Sequence, residues 1–302
     1  MPEDKDFYKN IIDNLYDGVY FVDRERVITY WNKGAERITG YTSQQVVGHS
    51  CRDNLLNHIS ADGVQLCLTR CPLAICMEAG SAQEADVFLH HADGHRLPVL
   101  VRAAPLRDND GNIIGAVEIF TGDVGDATVR QELRELRGIA PMDKLTNIGN
   151  REFIEGRVRA VIAELEHQPK TAVGLLFMDI DHLKECNDRH GRHVGDRALS
   201  MVAATLRHNL RNSDLVGRWG GDEFLAILYD VTTSEMLKSV SEKLRMLVEF
   251  SRLDFFTESL TVTISAGATL LLPTDTPESV VRRVDDLLYQ SKRAGGNQIS
   301  VG

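Results

Sequence analysis

The sequence RWGGDEFLAIL, residues 218–228, joins two glycines to two carboxylates and then to an apolar run. Glycines before an apolar run of this length are typical of a β-hairpin whose second strand is buried. The longer segment 215–230, LVGRWGGDEFLAILYD, therefore predicts a hairpin that turns at Gly220-Gly221. Asp222 and Glu223 would lie on that turn, directly against the buried strand.

A second carboxylate pair, Asp179 and Asp181, closes the apolar segment TAVGLLFMDID, which predicts a buried strand over 171–179. If this strand lies beside the hairpin, the four carboxylates meet at one sheet edge. Facing carboxylates repel unless they are protonated or bridged by a cation. Oxygen ligands favour Mg²⁺ or Mn²⁺, and such a site is typical of polymerase-type phosphoryl transfer. From the hairpin alone, an ordinary turn with solvated acids stays open.

Composition narrows the class of protein. The 302 residues carry a formal net charge of −10, which argues against a nucleic-acid or anionic-membrane partner. No apolar run approaches the ~18 residues of a membrane span, and the first ten residues lack the apolar core of a secretory signal. Five cysteines fit a reducing compartment better than a disulfide framework. We therefore expect a cytoplasmic protein.

The two halves of the chain have different patterns. Residues 1–125 predict five short strands, with turns at 23–26, 93–94 and 108–112 and helices between strands two and three. This pattern predicts an α+β domain with a five-stranded antiparallel sheet. Residues 143–302 predict an α/β domain with a central sheet flanked by helices. Its further elements are helices over 195–211, 234–251 and 277–293 and strands over 259–271 and 297–302.

The connecting segment 126–142 is charged, with apolar residues spaced by four, three and four positions. These are Val129, Leu133, Leu136 and Ala140. Such spacing predicts a short coiled-coil helix that joins two dimerising domains. A solvated linker helix that packs on its own domain is the alternative.

Side chains suited to a nucleotide follow the first carboxylate pair. Asn187 and Asp196 can accept from the N1–H and 2-amino groups of guanine. Lys184 is a point charge for a phosphate, and Lys292 with Arg293 offers further phosphate cations near the end of the chain.

These motifs together resemble the GGDEF-family diguanylate cyclase domain, which would give 143–302 a palm-like fold. The resemblance rests on GGDEF at 220–224, DKLTNIGNR at 143–151 and DIDHLKECNDRHGRHVGD at 179–196. The family condenses two GTP into cyclic di-GMP, with one GTP held by each subunit of a symmetric dimer. The resemblance therefore implies GTP as substrate, cyclic di-GMP as product, a homodimer, and Mg²⁺ or Mn²⁺ as cofactor.

The resemblance also implies a role for each matching residue. Asp179, Asp222 and the Ile180 carbonyl would hold the metal, with Glu223 supporting the metal shell. Asp222 would also act as base for the 3′-hydroxyl, and Lys184 would stabilise the transferring phosphate. The substrate-binding positions are Asn187 and Asp196 for guanine, Arg192 beside the substrate, and Lys292 for the terminal phosphates.

The pattern RNSD, with Arg211 and Asp214, lies five residues before Gly220 and matches the family's RxxD inhibitory site for cyclic di-GMP. An arginine fork suits guanine O6 and N7, and an aspartate accepts from N1–H and N2. An i,i+3 ion pair at a helix end is the alternative.

Three positions depart from the family pattern. Arg192 stands where a histidine is usual, Leu183 where an aromatic residue is usual, and Gly296 where an arginine is often found. Arg192 and Arg293 could compensate, so we expect activity with weaker GTP binding.

Residues 7–123 resemble a PAS domain, a sensor and dimerisation module that can hold haem, flavin or small metabolites. The ligand and signal are not determined by the sequence. The segment around Cys51 echoes a flavin photoreceptor motif, but Ser50 and the residues after position 52 depart from it, which argues against a photoactive flavin.

A separate group of possible ligands lies in the first half. Cys51, His58, Cys67 and Cys71 could hold Zn²⁺ or iron as a redox sensor. Their spacing matches no standard zinc motif, so buried thiols in helix packing are the alternative. The histidines at 90, 91 and 95 flank a predicted turn, and we expect them at the surface rather than on a haem.

The sequence therefore predicts a PAS-regulated diguanylate cyclase that works as a homodimer through its PAS domain and linker helix. The alternative is a catalytically silent receptor that binds GTP or cyclic di-GMP and regulates a partner protein.

Overall fold

A computed structural model describes residues 5–51, 53, 55–122, 142–167, 172–255 and 258–302. Contacts between Cα atoms divide the chain into two compact units, Met1–Leu133 and Arg134–Gly302. The division falls within 123–141, outside the described residues. The coiled-coil seam from Val129 to Ala140 lies there too, so the linker 126–142 and the domain boundaries stay predictions.

The N-terminal unit is one antiparallel sheet with helices between its second and third strands, as the sequence predicts. The sheet has five strands in the order β2-β1-β5-β4-β3. The strands are β1 Gly18–Asp23, β2 Ile28–Trp31, β3 Gln83–His90, β4 Arg96–Arg107 and β5 Ile113–Gly122. The helices are α1 Lys5–Asp13, α2 Lys33–Thr39, α3 Ser43–Val46, α4 Leu66–Thr69 and α5 Pro72–Ala79.

Asn32 connects the sheet to the first helix after it. Its Oδ1 accepts from the Ala35 backbone N–H at 2.7 Å, which caps α2, and from the Val19 N–H at 2.9 Å. The helix ends at Gly40, whose φ of +73° is the left-handed conformation that glycine adopts freely.

The C-terminal unit has a five-stranded main sheet in the order β12-β11-β6-β8-β7 and a separate β9-β10 pair. The strands are β6 Val173–Ile180, β7 Leu215–Gly220, β8 Glu223–Tyr229, β9 Leu253–Phe255, β10 Glu258–Leu260, β11 Ile264–Leu270 and β12 Ile299–Val301. The helices are α6 Arg151–His167, α7 Leu183–His190, α8 Arg192–Asn209, α9 Ser234–Glu249 and α10 Pro277–Arg293. The sheet is mixed, because β11 and β12 are parallel and the other pairs are antiparallel.

The central strand β6 is buried along its whole length. Its alternate side chains join two hydrophobic clusters on opposite faces of the sheet. Leu176, Met178 and Ile180 pack with residues of α8 and α9. Leu175 and Phe177 pack with residues of α6 and α10. A strand covered on both faces reads as a continuous apolar run, which is why VGLLFM shows no polar alternation.

Two predicted elements differ from the structure. The predicted strand 259–271 is two strands, because β10 pairs with β9 whereas β11 pairs with β6 in the main sheet. The helix predicted from 195 begins at Arg192, directly after α7. Gly191 separates the two helices with φ +88° and ψ 156°, a conformation that other residues rarely adopt.

Gly267 on β11 provides a test of the packing of α10. A Cβ there would lie 2.1 Å from the Val284 carbonyl oxygen, whereas a Cβ at Gly156 in α6 meets nothing within 4 Å. We expect Gly267→Ala to lower the free energy of unfolding by about 3 kcal/mol, since backbone must move. Gly156→Ala should raise it by about 0.5–1 kcal/mol through helix propensity. Urea unfolding of both variants checks this; equal effects would contradict the close approach.

Candidate functional site

The pairing of β6 with β8 brings the two carboxylate motifs together. Asp179 is the register partner of Glu223, and the Ile180 N–H donates to the Asp222 carbonyl at 3.2 Å. The buried strand therefore lies directly beside the second strand of the hairpin.

Asp179 is buried, and one cation faces it. Lys292 Nζ lies 2.7 Å from Asp179 Oδ1. Burial raises the pKa of Asp179 to about 6; the Lys292 hydrogen bond opposes this rise, and the Asp222 and Glu223 charges add to it. Burial also raises the pKa of Glu223, followed by the charges of Asp222 and Asp285. Clustered acids that already attract an ammonium group have the donor chemistry for a hard divalent cation.

Asp181, the second aspartate of the segment DID at 179–181, forms hydrogen bonds within the protein. Asp181 accepts from the Thr263 hydroxyl at 2.7 Å, the Ser265 hydroxyl at 2.6 Å and the Asn297 N–H at 2.9 Å. These bonds fasten the end of β6 to β11 and to the loop before β12. The carboxylate oxygens of Asp181 are therefore engaged by neighbouring segments, whereas Asp179 and Glu223 are register partners in the β6–β8 pair. Gly296, in the same loop, has φ +76°, and a Cβ there would lie 3.3 Å from this carboxylate.

The turn at Gly220 and Gly221 has free space where side chains would lie, and its backbone is held by hydrogen bonds. A Cβ at Gly221 would meet nothing within 4 Å, and one at Gly220 would meet only the Glu223 carboxylate at 3.7 Å. Arg218 donates to the Gly221 carbonyl from Nε at 3.0 Å and from Nη2 at 2.6 Å. Its Nη1 lies 3.2 Å from Asp143 Oδ1. There is thus space for a ligand against a turn whose backbone is held in place.

Sequence reasoning missed the positioning role of Arg218 and Asp143. Asp143 also accepts from the backbone N–H and hydroxyl of Thr146, at 2.9 and 2.7 Å. The signal was present as an arginine two residues before the glycine pair and an aspartate that opens DKLTNIGNR. Their contact links positions 75 residues apart, which local patterns do not report.

The predicted base-reading side chains lie around the junction of α7 and α8. Asn187 is half-buried on α7, and Asp196 is exposed in the first turns of α8. A Cβ at Gly195 would lie 1.9 Å from Asn187 Oδ1, so this glycine lets the amide rest against α8. Lys184 and Arg192 are exposed on the same two helices.

Asp214 is held by backbone donors. Its Oδ2 accepts from the Arg211 N–H at 3.1 Å and its Oδ1 from the Tyr229 N–H at 3.0 Å. Burial raises its pKa, and these bonds oppose that rise. The Arg211 side chain is exposed, and its charge also opposes the rise in the pKa of Asp214. Lys243, whose pKa is lowered by burial and by the Arg211 charge, is a nearby cation that the sequence analysis missed.

The core of the N-terminal unit contains a buried acid. Glu118 on β5 is fully buried and accepts from the Tyr20 hydroxyl at 2.9 Å. Its Oε1 lies 3.9 Å from His58 Nε2. Burial raises the pKa of Glu118 to about 8 and lowers that of His58 to about 4, where the Arg96 charge adds to the effect. Both groups are therefore neutral near pH 7.

The structure does not assemble the predicted metal site of Cys51, His58, Cys67 and Cys71. In the described part of the chain, no three of these side chains bring their ligand atoms within 4.8 Å of one another. His58 turns its Nε2 toward Glu118, and only its backbone N–H contacts Cys67, at 3.3 Å from Sγ. All four cysteines of this unit are buried thiols.

The expected surface position of the three histidines is wrong for two of them. His90 and His95 are buried, with 2% and 7% of their surface exposed, and His91 is half-buried. His90 Nδ1 lies 3.1 Å from the Tyr41 hydroxyl, and the rings of His91 and His95 stack with centroids 4.3 Å apart. The turn therefore packs on neighbouring segments, which its polar sequence did not indicate. Among the described residues, one group of three His, Cys, Asp or Glu side chains brings its possible metal-ligand atoms within 4.8 Å of one another. This group is His91, Asp93 and His95.

Comparison with known proteins identifies both units. Residues 140–298 match the model of the diguanylate cyclase GGDEF domain, and residues 17–121 match a PAS domain model. Diguanylate cyclase DgcP of Pseudomonas aeruginosa is 35% identical over 169 residues, 56% of this chain and 25% of that protein. Response regulator PleD of Caulobacter vibrioides is 32% identical over 234 residues, 68% of this chain and 50% of that protein. The chain thus spans between a quarter and a half of these relatives.

Solved structures agree with this grouping. Diguanylate cyclase SiaD of Pseudomonas aeruginosa, solved with its activator SiaC, has a TM-score of 0.53 and 31% identity over 60% of this chain and 68% of that one. The GGDEF domain of DgcB from Caulobacter crescentus, solved with c-di-GMP, has a TM-score of 0.51 and 31% identity over 54% of this chain and 96% of that one.

Among the described residues, helices of sufficient length and apolarity to cross a membrane are absent.

The buried Glu118–His58 pair predicts how pH affects the N-terminal unit. His58 contributes stability that is lost as the pH falls from 6.5 to about 4, because only the unfolded state gains its proton there. Glu118 contributes stability that is lost as the pH rises from 4.5 to about 8, because only the unfolded state ionises there. Between pH 6.5 and 8 we expect the free energy of unfolding to fall by up to about 1.4 kcal/mol per pH unit.

Urea unfolding followed by the fluorescence of buried Trp31, in reductant and with Trp219→Phe as background, measures this slope. Glu118→Gln should remove it, whereas Glu84→Gln, which changes an exposed acid on β3, should leave it intact. A slope that persists in Glu118→Gln would contradict the assignment.

Proposed function

The chain belongs to the diguanylate cyclase GGDEF-domain family, and on that premise we propose that it condenses two GTP into cyclic di-GMP and two diphosphates. The observation that supports this most is the pairing of β6 with β8. It brings Asp179 close enough to Asp222 and Glu223 that their charges raise its pKa, beside a glycine turn with free space around it.

The carboxylate set suits a divalent metal. Asp179, Asp222 and the Ile180 carbonyl would hold Mg²⁺ or Mn²⁺, with Glu223 in support. The ion would supply positive charge to the triphosphate. Lys292 at present neutralises Asp179 at 2.7 Å, which shows that the acid attracts a cation. Substrate phosphates would compete with Asp179 for the same ammonium group.

The remaining residues would bind and orient the nucleotide. Asn187, positioned against Gly195, and Asp196 at the start of α8 would accept from the guanine edge. Lys184 and Arg192 would face the phosphates, and Asp222 would take the proton from the 3′-hydroxyl. Arg218 would keep Asp222 in place through the Gly221 carbonyl.

The reaction needs two chains. Each half-site holds one GTP, so the 3′-hydroxyl bound by one subunit must attack the α-phosphate bound by its partner in line. We propose that the PAS domain and the linker 126–142 control how two half-sites meet, so that a signal at the PAS domain regulates turnover.

Arg211 and Asp214 would form the inhibitory site for the product. The Asp214 carboxylate is fixed by two backbone N–H groups, and the exposed Arg211 guanidinium is available for guanine O6 and N7. Lys243 would add positive charge for the product's phosphates.

Incubation of the protein with GTP and Mg²⁺, followed by anion-exchange chromatography, tests the activity. We expect cyclic di-GMP, at a rate per chain that rises with protein concentration. Asp222→Asn should lower the rate by at least about a hundredfold, because it removes a metal ligand and base. Asp230→Asn is the matched control, since Asp230 is exposed at the far end of β8 with φ +57°, which asparagine tolerates. No cyclic dinucleotide at any concentration would leave a nucleotide receptor as the function.

Product inhibition tests the second site. Arg211→Ala keeps the backbone N–H that holds Asp214, so only the guanidinium is lost. We expect the apparent inhibition constant for cyclic di-GMP to rise at least about tenfold, the value of one charged hydrogen bond. Lys238→Ala, which removes an exposed charge from α9, should leave inhibition unchanged. Unaltered inhibition in Arg211→Ala would refute the site.

A further inference from the structure

Two histidines and an aspartate meet at the turn between β3 and β4 of the PAS domain. They are His91, Asp93 and His95, which take alternate positions in the sequence HHADGHR at 90–96. Their possible ligand atoms all lie within 4.8 Å of one another. The rings of His91 and His95 stack with centroids 4.3 Å apart, and His91 Nδ1 lies 3.6 Å from Asp93 Oδ2. These three side chains have no part in the site proposed for GTP.

The backbone of the turn holds the two histidines side by side. The His91 N–H donates to the His95 carbonyl at 3.0 Å, and the Gly94 N–H donates to the His91 carbonyl at 2.8 Å. Gly94 has φ +93°, a conformation that lets the chain reverse over so few residues. The Ala92 N–H donates to the Thr39 carbonyl at 2.8 Å, which fastens the turn to the end of α2. Main-chain bonds therefore set the histidine positions without a ligand.

The His91 ring presents its Nδ1 edge to the aspartate. Its opposite side rests on Gly40, where a Cβ would lie 2.7 Å from His91 Cε1 and 2.9 Å from Nε2. Nδ1 accepts the Asp93 backbone N–H at 3.0 Å, so this nitrogen carries a lone pair. A metal at Nδ1 would replace that N–H, which lies on an exposed residue and can bond to water instead.

The protonation state of His91 is also suitable. Burial lowers the pKa of His91, and the Asp93 charge opposes this effect without cancelling it. The imidazole is therefore neutral near pH 7, and a neutral imidazole beside a carboxylate is the form in which histidine binds a metal.

The separations suit a small divalent ion. Bonds of about 2.0–2.2 Å to nitrogen and oxygen place the ligand atoms of a tetrahedral zinc about 3.3 Å apart. The separation of 3.6 Å between His91 Nδ1 and Asp93 Oδ2 is already close to this value. The Asp93 side chain is 83% exposed, so it can adjust at little cost. Water can supply the fourth ligand from the same exposed side.

The donor atoms decide which class of metal fits. Imidazole nitrogen suits Zn²⁺, Co²⁺, Ni²⁺ and Cu²⁺, whereas Mg²⁺ and Ca²⁺ prefer oxygen. Two of the three donors at this turn are nitrogens. The carboxylates proposed to hold the catalytic ion, Asp179, Asp222 and Glu223, offer oxygens only. The two sites should therefore differ in the metal that they select.

We propose that His91, Asp93 and His95 bind one Zn²⁺ through a nitrogen of each imidazole and one carboxylate oxygen. The ion joins the two ends of the β3–β4 turn. Because it binds the folded turn and not the unfolded chain, it also stabilises the PAS domain against unfolding.

Isothermal titration calorimetry of the full chain, prepared without a histidine tag, tests the proposal. Zinc is titrated in excess Mg²⁺, which occupies sites built from oxygen ligands. We expect saturable binding of one Zn²⁺ per chain at micromolar zinc. Co²⁺ in its place should give visible d–d absorption bands without the near-ultraviolet charge-transfer band of a thiolate ligand. Absence of saturable binding, or a thiolate band, would show that the proposal is wrong.

Variants test the ligand set. His91→Gln should weaken zinc binding at least about a hundredfold, because it removes a nitrogen ligand, and Asp93→Asn at least about tenfold, because an amide carries no charge. His49→Gln changes an exposed histidine of the same domain and should bind zinc as the parent does.

Stability provides a second measurement. Zinc should raise the urea midpoint of the parent and of His49→Gln, and leave that of His91→Gln unchanged. Circular dichroism establishes that each variant is folded, and the exposed position of Asp93 keeps the test available if a histidine variant unfolds. Zinc affinity equal to that of the parent in Asp93→Asn and in every folded histidine variant would overturn the site.

Discussion

The pairing of β6 with β8 places two carboxylates side by side at the end of a buried strand, where burial and mutual repulsion both disfavour their charged forms. Asp179 ends a strand that is buried on both faces, and its partner in the register is Glu223. The β6–β8 ladder fixes the backbone positions of both residues, so their carboxylates stay near each other unless the side chains rotate. Lys292, from the last turn of α10, supplies one cation at 2.7 Å. Other hydrogen bonds of the unit hold the backbone around these two carboxylates in place.

The site is held by backbone conformation and hydrogen bonds as much as by charge. The left-handed φ of Gly221 and the Arg218 bonds to its carbonyl set the direction of the turn. Asp181 ties the end of β6 to β11 and to the loop before β12. Because these bonds are saturated within the protein, a ligand at the turn would meet a site that needs little reorganisation.

The PAS domain solves a different electrostatic problem. Glu118 and His58 are buried and neutral, so their polarity is kept without net charge. Buried polar groups of this kind cost stability unless they are partnered.

The sequence by itself indicated most of the elements and the segments that carry the candidate site. Apolar alternation and turn residues located the five strands of the first unit, and the run before Asp179 identified the central strand of the second. The motifs around Gly220 were sufficient to indicate a family. Local patterns did not distinguish Asp179 from Asp181, did not reveal that Arg218 contacts Asp143, and placed His90 and His95 at the surface. They also grouped four possible metal ligands, no three of which the fold brings within 4.8 Å of one another. Periodicity reports which face of an element is apolar, but partners far apart in the chain are selected only when the elements pack, and that selection decides whether an acid binds a cation or fastens a loop.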